Sequence, residues 1–201
     1  MSFKEKLLNI SFGLSLIYWG VAGFLHSYNG LETPTLRWVI TLLNFTVGLL
    51  IIFRSPVFNK GSVKSIAMSL PSLICGGLLF KLAKPLVDWS LYLQVVFILG
   101  AVFALTAFLF LGRSFSIFPD VRKIKSMGVF SIVRHPSYLG EIIMITACLL
   151  ATQYWQSFLV YMVFIPSIVL RIKEEEDLLI ISSEYRNYQK NVKWRLLPYV
   201  W

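Results

Sequence analysis

The sequence predicts an all-α protein, a polytopic bundle of about six transmembrane helices whose last two form a hairpin, followed by a cytoplasmic C-terminal helix. Of its 201 residues, 57% are hydrophobic and 14% are charged, whereas soluble domains average about 45–50% and about 25%. The mean hydropathy is +0.71. The apolar residues gather in runs close to the roughly 20 residues that a helix needs to cross a bilayer. Strands are not expected, because open sheet edges cannot face lipid.

Six apolar runs account for the predicted spans, at residues 7–25, 36–53, 66–80, 89–111, 138–152 and 155–170. The first follows Lys4 and Lys6 like a signal peptide, but no clear small-residue cleavage site follows it, so a retained helix is predicted. Pro71 predicts a kink in the third run.

Gln153 and Gln156 mark a polar turn between the last two runs, which predicts a helical hairpin. The alternative, one tilted helix, would be too long for a bilayer and would bury both glutamines. Residues 172–190 are predicted to form the cytoplasmic helix, with Leu178, Leu179 and Tyr185 on its apolar face.

The basic residues are strongly asymmetric with respect to these spans. All but three of the 19 lysines and arginines fall before the first span, after even-numbered spans, or in the tail. The exceptions are Arg37, Lys81 and Lys84. Because cytoplasmic loops are enriched in Lys and Arg, both termini are predicted to be cytoplasmic. The net charge of +9 is therefore assigned to the membrane surface rather than to nucleic-acid binding.

Two cysteines, Cys75 and Cys148, lie inside apolar runs without metal-ligand spacing. They are interpreted as small buried side chains. No metal site is predicted.

The first polar segment that breaks the apolar pattern is residues 128–141. Arg134, His135, Ser137 and Tyr138 cluster where a helix is expected to enter the membrane, and Pro136 suits its first turn. Free N–H groups at such a start can hold an anion. Glu141 lies about one turn deeper, where ionisable residues suggest function. The alternatives are headgroup anchoring, and pairing of Glu141 with a neighbouring helix.

The second polar segment is residues 171–177. Arg171 and Glu175 are four residues apart and therefore share one helix face. The alternative interpretation is the solvated start of a helix beyond the membrane.

At these two polar segments, the sequence resembles the isoprenylcysteine carboxyl methyltransferase family and the related phospholipid methyltransferases. The resemblance covers roughly residues 105–198. It is carried by Leu111-Gly-Arg-Ser-Phe-Ser116, Gly128-Val-Phe130, Arg134-His-Pro-Ser-Tyr138, Arg171, Glu175-Glu176 with Leu178-Leu179, Glu184-Tyr-Arg-Asn-Tyr188, Val192 and Arg195-Leu-Leu-Pro198. The sequence departs at Phe130, where many members have tyrosine, and at Ser182-Ser183, where many have Phe-Gly.

The resemblance implies a membrane-embedded methyltransferase that uses S-adenosylmethionine. It implies that Arg171, Glu175 and Arg134 form the catalytic set, with Arg171 at the methyl acceptor. The cofactor contacts that it implies are His135, Pro136, Ser137, Tyr138, Glu175 and Glu176, with the loop 112–116 nearby. On this basis residues 1–201 form one integral membrane domain, with N-terminal helices in 1–104 and a methyltransferase core in 105–201.

Two other functions are compatible with a small membrane protein of this kind. One is an NADPH-dependent reductase of the sterol or enone type, although no aromatic and asparagine-rich cofactor motif is visible. The other is a non-enzymatic membrane scaffold. The expected partners are the lipid bilayer and a lipophilic small-molecule or prenylated acceptor.

Overall fold

The computed structural model of the protein describes residues 3–28 and 34–201. Within these ranges the chain forms seven α-helices, one pair of two-residue strands and short 3-10 turns, which confirms the all-α bundle. The elements are α1 Phe3–Tyr28, α2 Pro34–Ile52, β1 Asn59–Lys60, α3 Val63–Leu82, α4 Leu91–Leu111, β2 Asp120–Val121, α5 Pro136–Leu150, α6 Gln156–Leu179 and α7 Ser183–Asn191.

Helix length and composition make this an integral membrane protein. Five helices, α1, α2, α3, α4 and α6, are long and apolar enough to cross a bilayer. Helix α5 is apolar but has only 15 residues, or about 22 Å at 1.5 Å per residue. Its C-terminal end meets the end of α3, where Lys84 N donates to Ala151 O at 3.1 Å and Thr152 Oγ1 donates to Leu82 O at 3.0 Å. The predicted number of six spans is reached only if this shorter helix also crosses the bilayer.

The expectation of one cytoplasmic helix over residues 172–190 was wrong. Helix α6 continues without a break to Leu179, and a separate α7 begins only at Ser183. Residues 171–177 are mostly strong helix formers, and Arg171, Ile172 and Glu176 are buried along this extension. Burial of that face, rather than solvation, explains why the helix continues.

The helices pack mainly in three pairs, α1 with α2, α3 with α6, and α4 with α5. Helices α5 and α6 are consecutive and joined by a short turn, as predicted for the hairpin. Each of them nevertheless packs chiefly against a different helix, α5 against α4 and α6 against α3. Small residues let α4 and α5 approach closely, as is usual in membrane bundles. A Cβ on Gly140 would lie 2.7 Å from Gly100 O. This contact fixes the first turns of α5 against α4.

One end of the bundle collects most of the basic residues, and we call it the basic end. It comprises the start of α1, the α2–α3 and α4–α5 connections, and the tail after α6. Strands β1 and β2 pair antiparallel there and join the two connections. Lys60 also forms an ion pair with Glu5 of α1. The tail is attached by His135 N, which donates to Arg195 O at 2.9 Å. These segments therefore share one end of the bundle, as the predicted orientation requires.

Strands β1 and β2 were not expected from the sequence. They comprise two residues each, and both lie in connections between helices rather than among the apolar spans. The physical argument against strands in lipid therefore still holds, because it applies only to the hydrocarbon region.

Candidate functional site

Helix α5 begins at the basic end with His135 as its N-cap and Pro136 as its first residue. Proline is tolerated there because the first amides of a helix have no intrahelical partner. The Ser137 and Tyr138 amides are likewise too early in the helix to donate within it. The predicted helix start is confirmed, and two backbone donors are left at the edge of the site.

Glu176 is the centre of a buried polar network. Its Oε1 accepts from Arg134 Nε at 2.8 Å and lies 3.1 Å from His135 Nε2, while its Oε2 accepts from Arg195 Nε at 2.8 Å. Its side chain is only 6% exposed. Tyr185 of α7 donates its hydroxyl to Oε1 at 3.3 Å. Buried charges are stable only when they are paired and hydrogen-bonded, and this carboxylate meets both conditions.

The same network holds the C-terminal tail against the start of α5. Arg134 Nη1 donates to the carbonyl oxygens of Val192 and Lys193, both at 2.9 Å. The Arg134 backbone amide donates to Trp194 O at 2.9 Å. The α4–α5 connection and the tail therefore meet at one surface.

Two tyrosines of α7 extend this network. Burial raises the pKa of Tyr185 well above its usual range, and the nearby Glu176 carboxylate raises it further. Burial also raises the pKa of Tyr188, whose hydroxyl donates to Phe130 O at 2.6 Å. Both hydroxyls therefore remain protonated and act as hydrogen-bond donors, which docks α7 onto the site.

Glu175, the neighbour of Glu176, has a different environment. Its Oε2 accepts from the Tyr138 hydroxyl at 2.7 Å and lies 3.9 Å from His135 Nδ1. Its side chain is 29% exposed. One of these adjacent carboxylates is thus enclosed by protein donors, and the other can still accept a ligand.

Arg171 lies one turn before Glu175 on α6 and is buried. Its Nη2 donates to Ile117 O at 2.6 Å, and its Nη1 is 3.4 Å from Ser72 Oγ and 3.7 Å from Glu141 Oε2. The guanidinium carbon lies 4.9 Å from the centre of the Tyr138 ring. Among the described residues, the buried Arg171 Nε has no hydrogen-bond partner.

These side chains surround a cavity of ≈ 270 Å³, just below the range for ligand pockets, about 300–1,000 Å³. A smaller cavity of ≈ 80 Å³ adjoins it at the basic end, and Arg134, His135 and Glu175 line both. The larger cavity extends between the helices to apolar residues of four of them. These apolar residues are Val47 of α2, Leu73 of α3, Ala104 and Phe108 of α4, and Met144 of α5. The combined space is polar at one end and apolar at the other.

Six of the predicted site residues line the larger cavity. They are Arg134, His135, Ser137, Tyr138, Arg171 and Glu175. Pro136 is fully buried and Glu176 lies behind His135, so neither appears in the cavity wall. Glu141 lines the cavity and also pairs with Arg171 of the neighbouring α6. The predicted position in a functional site and the alternative, pairing with a neighbouring helix, therefore both apply to this residue.

Sequence reasoning missed the contribution of the N-terminal helices. Val47, Leu73 and Ser72 reach the cavity wall or Arg171, yet they are ordinary apolar or small residues within apolar runs. It also missed the ion pair between Arg122 and Asp120 at 2.8 Å beside the cavity. Their spacing of two residues in a basic connection carries no distinctive signal.

The comparison with known families agrees with this geometry. Residues 91–181 match the model of the isoprenylcysteine carboxyl methyltransferase family. This stretch of the chain is similar to that family. The comparison with curated proteins finds no match.

The family match begins at the start of α4 and ends just after α6. It therefore contains every predicted site residue and confirms the resemblance over residues 105–181. The match to this family model supports methyltransferase activity. Within residues 3–28 and 34–201, no group of three or more His, Cys, Asp or Glu side chains could hold a metal ion.

Proposed function

We propose that the protein transfers a methyl group from S-adenosylmethionine to a lipophilic acceptor at the cytoplasmic face of the membrane. The acceptor is a carboxylate such as that of a prenylcysteine, or another lipid-like molecule with an oxygen, nitrogen or sulfur nucleophile. The observation that carries the proposal is the shape of the cavity, which is polar at the basic end and apolar between the helices. A water-soluble methyl donor and a lipophilic acceptor need such opposite surroundings.

The donor set at the basic end fits S-adenosylmethionine. The amides of Ser137 and Tyr138 suit the carboxylate of its methionine part, because helix starts favour anions. Glu175, partly exposed and in contact with Tyr138, suits its ammonium group or ribose hydroxyls. His135 lies beside both carboxylates and lines the same wall. We assign cofactor contact to these four residues.

Arg134, Pro136 and Glu176 are assigned supporting parts in cofactor binding. Pro136 sets the start of α5. Glu176 holds His135 and Arg134 in place, and Arg134 joins the tail to the cofactor end of the cavity. Removing any of the three should disturb the cofactor end through its neighbours.

Arg171 is assigned to the methyl acceptor. It borders the apolar part of the cavity, and its unpartnered Nε can donate to a polar atom of the acceptor. A planar guanidinium fixes the orientation of such an atom better than an ammonium does. Together with Glu175 at the other ligand, it would hold the two reactants in line.

Bound S-adenosylmethionine supplies a methyl group on a sulfonium, which is already activated for displacement. The side chains of this chain therefore act mainly by alignment, which is worth about 7–11 kcal/mol at most. The apolar helix faces that enclose the cavity exclude water, which strengthens polar contacts inside. Alignment of the reactants and exclusion of water do not require a metal ion.

We place the basic end of the bundle, and with it both termini, in the cytoplasm, because cytoplasmic segments of membrane proteins are enriched in Lys and Arg. We also propose that residues 105–201 are the methyltransferase core of a single membrane domain over 1–201. The helices within 1–104 complete the apolar wall through residues such as Val47 and Leu73.

The test is incubation of membranes that contain the protein with methyl-labelled S-adenosylmethionine, followed by separation of lipid and protein fractions. Label above that of membranes lacking the protein is expected for the wild type and for Asp177→Asn, a control on the exposed face of α6. No label above background is expected for Glu175→Gln. If NADPH protects the purified protein from thermal unfolding and S-adenosylhomocysteine does not, the reductase alternative replaces this proposal.

A further inference from the structure

We propose that a second cavity at the basic end is a binding site for a phosphate group, and that its occupant is an anionic phospholipid of the adjacent leaflet. The cavity measures ≈ 270 Å³. It lies between the start of α1, the α2–α3 connection, the first turn of α3 and the α4–α5 connection. The proposal concerns this separate cavity and does not rest on the proposed function.

Residues 116–120 form the wall between this cavity and the one assigned to methyl transfer, and three side chains of the segment line both. On one side of the wall, the carbonyl oxygen of Ile117 accepts from Arg171 at 2.6 Å. On the other side, Pro119 O accepts from Gly61 N at 3.1 Å. The segment is therefore held from both sides, by α6 and by the α2–α3 connection, and the two cavities are distinct spaces.

Arg54 is the cation of the second cavity that has no carboxylate partner. It lies just after the end of α2 and is half-buried. Its Nη2 donates to Asn9 Oδ1 of α1, and among the described residues it makes no other hydrogen bond or ion pair. Asn9 is neutral, so this contact fixes the guanidinium without compensating its charge. Burying a charge is costly unless it is paired, which makes Arg54 a site for an anion.

The carboxylates of the cavity wall are already paired with other cations. Asp120 accepts from Arg122 Nε at 2.9 Å and from its Nη2 at 2.8 Å, and Glu5 forms an ion pair with Lys60. The charged residues of the wall are the cations Arg54, Lys60 and Arg122 and the carboxylates Glu5 and Asp120. One positive charge is therefore in excess, which a singly charged phosphodiester would neutralise.

The electrostatic environment of Arg54 agrees with this assignment. Burial lowers the pKa of Arg54, and the nearby Arg122 lowers it further, while Asp120 and Glu5 raise it without reversing the direction. An anion beside Arg54 would favour its charged form and offset the like charge of Arg122. The planar fork of an arginine is suited to phosphate oxygens, to which it can donate two parallel hydrogen bonds.

The position of the cavity favours a lipid as the source of the phosphate. Arg54 lies just beyond the apolar span of α2, at the depth expected for head groups. Ile66 and Leu70, one turn apart on α3, are both exposed, and Ile66 lines the cavity. Helix α3 packs against α6 and α5, whereas neither α1 nor α2 packs closely against it. Acyl chains can therefore lie along α3 below the cavity. Basic pockets between membrane helices are known to bind anionic head groups.

The experiment titrates the purified protein in detergent with dioctanoyl phosphatidylglycerol and with two probes that each lack one feature. Dioctanoyl phosphatidylcholine keeps the phosphate and the chains but has no net charge. Glycerol phosphate keeps the phosphate but has no chains. Protection from thermal unfolding measures the affinity for each probe, because a ligand that binds the folded state raises its stability.

The same titrations are made on Arg54→Gln, Arg54→Lys and Lys60→Gln. The control is Lys190→Gln, which removes an exposed positive charge of α7 at the same end but outside the cavity. Each variant is compared with itself in the absence of lipid. If Arg54→Gln does not fold, Lys60→Gln carries the test, because the Lys60 side chain is 69% exposed and its loss should not prevent folding.

We expect phosphatidylglycerol to protect the wild type and the control equally. Arg54→Gln should bind it at least about 10-fold more weakly, because hydrogen bonds to charged groups are lost, and Lys60→Gln at least about 2-fold more weakly. Arg54→Lys should be intermediate, since an ammonium keeps the charge without the fork. The wild type should bind each of the other two probes at least about 10-fold more weakly than phosphatidylglycerol.

The site is overturned if phosphatidylglycerol does not protect the wild type, or if Arg54→Gln and Lys60→Gln both bind it like the control. Equal affinity of the wild type for phosphatidylcholine would overturn the anionic character of the ligand. Equal affinity for glycerol phosphate would overturn the lipid as its source. Binding of S-adenosylhomocysteine should be unchanged in Arg54→Gln, which separates this site from the one assigned to methyl transfer.

Discussion

Replacing Glu176 with glutamine should destabilise the protein far more than the same change at the adjacent Glu175. Glu176 accepts from Arg134 at 2.8 Å, and both side chains are less than 10% exposed. Removing one partner of a buried ion pair costs about 3–5 kcal/mol, because the other charge is left uncompensated. The Arg195 contact is one-third exposed and should add less than about 1 kcal/mol.

Two features reduce the expected loss to the lower end of that range. Glutamine keeps one carbonyl oxygen that can still accept from one donor. Arg134 also keeps two backbone carbonyl acceptors in the tail, at Val192 and Lys193. We therefore expect Glu176→Gln to lower the free energy of unfolding by about 3 kcal/mol. Glu175→Gln keeps an amide oxygen that can accept from Tyr138 and removes only the charge of a partly exposed side chain, so it should cost less than about 1 kcal/mol.

The assay is reversible unfolding of the purified protein in mixed micelles with increasing sodium dodecyl sulfate. Asp177→Asn on the exposed face of α6 serves as the matched control and should stay within about 0.5 kcal/mol of the wild type. Equal stability of Glu176→Gln and the control would show that the network contributes nothing to the stability of the fold.

Two further changes test the packing that positions the site. Gly140→Val should lower the free energy of unfolding by about 1–3 kcal/mol through overpacking, because even a Cβ there would lie 2.7 Å from Gly100 O. Thermal unfolding in detergent measures this loss. Gly77→Ala, at a position with open space around it, is the control and should not destabilise the protein. Tyr188→Phe should cost about 1–3 kcal/mol, because it leaves the carbonyl of Phe130 without its 2.6 Å donor. A loss below about 0.5 kcal/mol in the same assay would contradict the docking assigned to α7.

The bundle could be predicted from the sequence because apolar runs of membrane length have few alternative structures. The shared wall position of Arg171 and Glu175 was also predictable, since four residues make about one helical turn. The start of α5 at His135 and Pro136 followed from proline chemistry alone. In each case a local rule fixes the outcome.

Features that depend on distant residues could not be predicted. Arg134 and Glu176 are 42 residues apart, and no local pattern indicates that they form the buried pair that holds the tail. The continuation of α6 to Leu179 depends on burial of a face that looks solvated in sequence. The apolar wall from Val47 and Leu73 depends on how α2 and α3 pack. Tertiary contacts decide all three.

Binding of S-adenosylmethionine through Glu175, in the cavity between α5 and α6, can be tested by calorimetric titration of the purified protein with S-adenosylhomocysteine. We predict saturable binding by the wild type and binding at least about 10-fold weaker by Glu175→Gln, a loss of about 1.4 kcal/mol, while that variant remains folded. No binding by the wild type, or equal affinity in the variant, would contradict it.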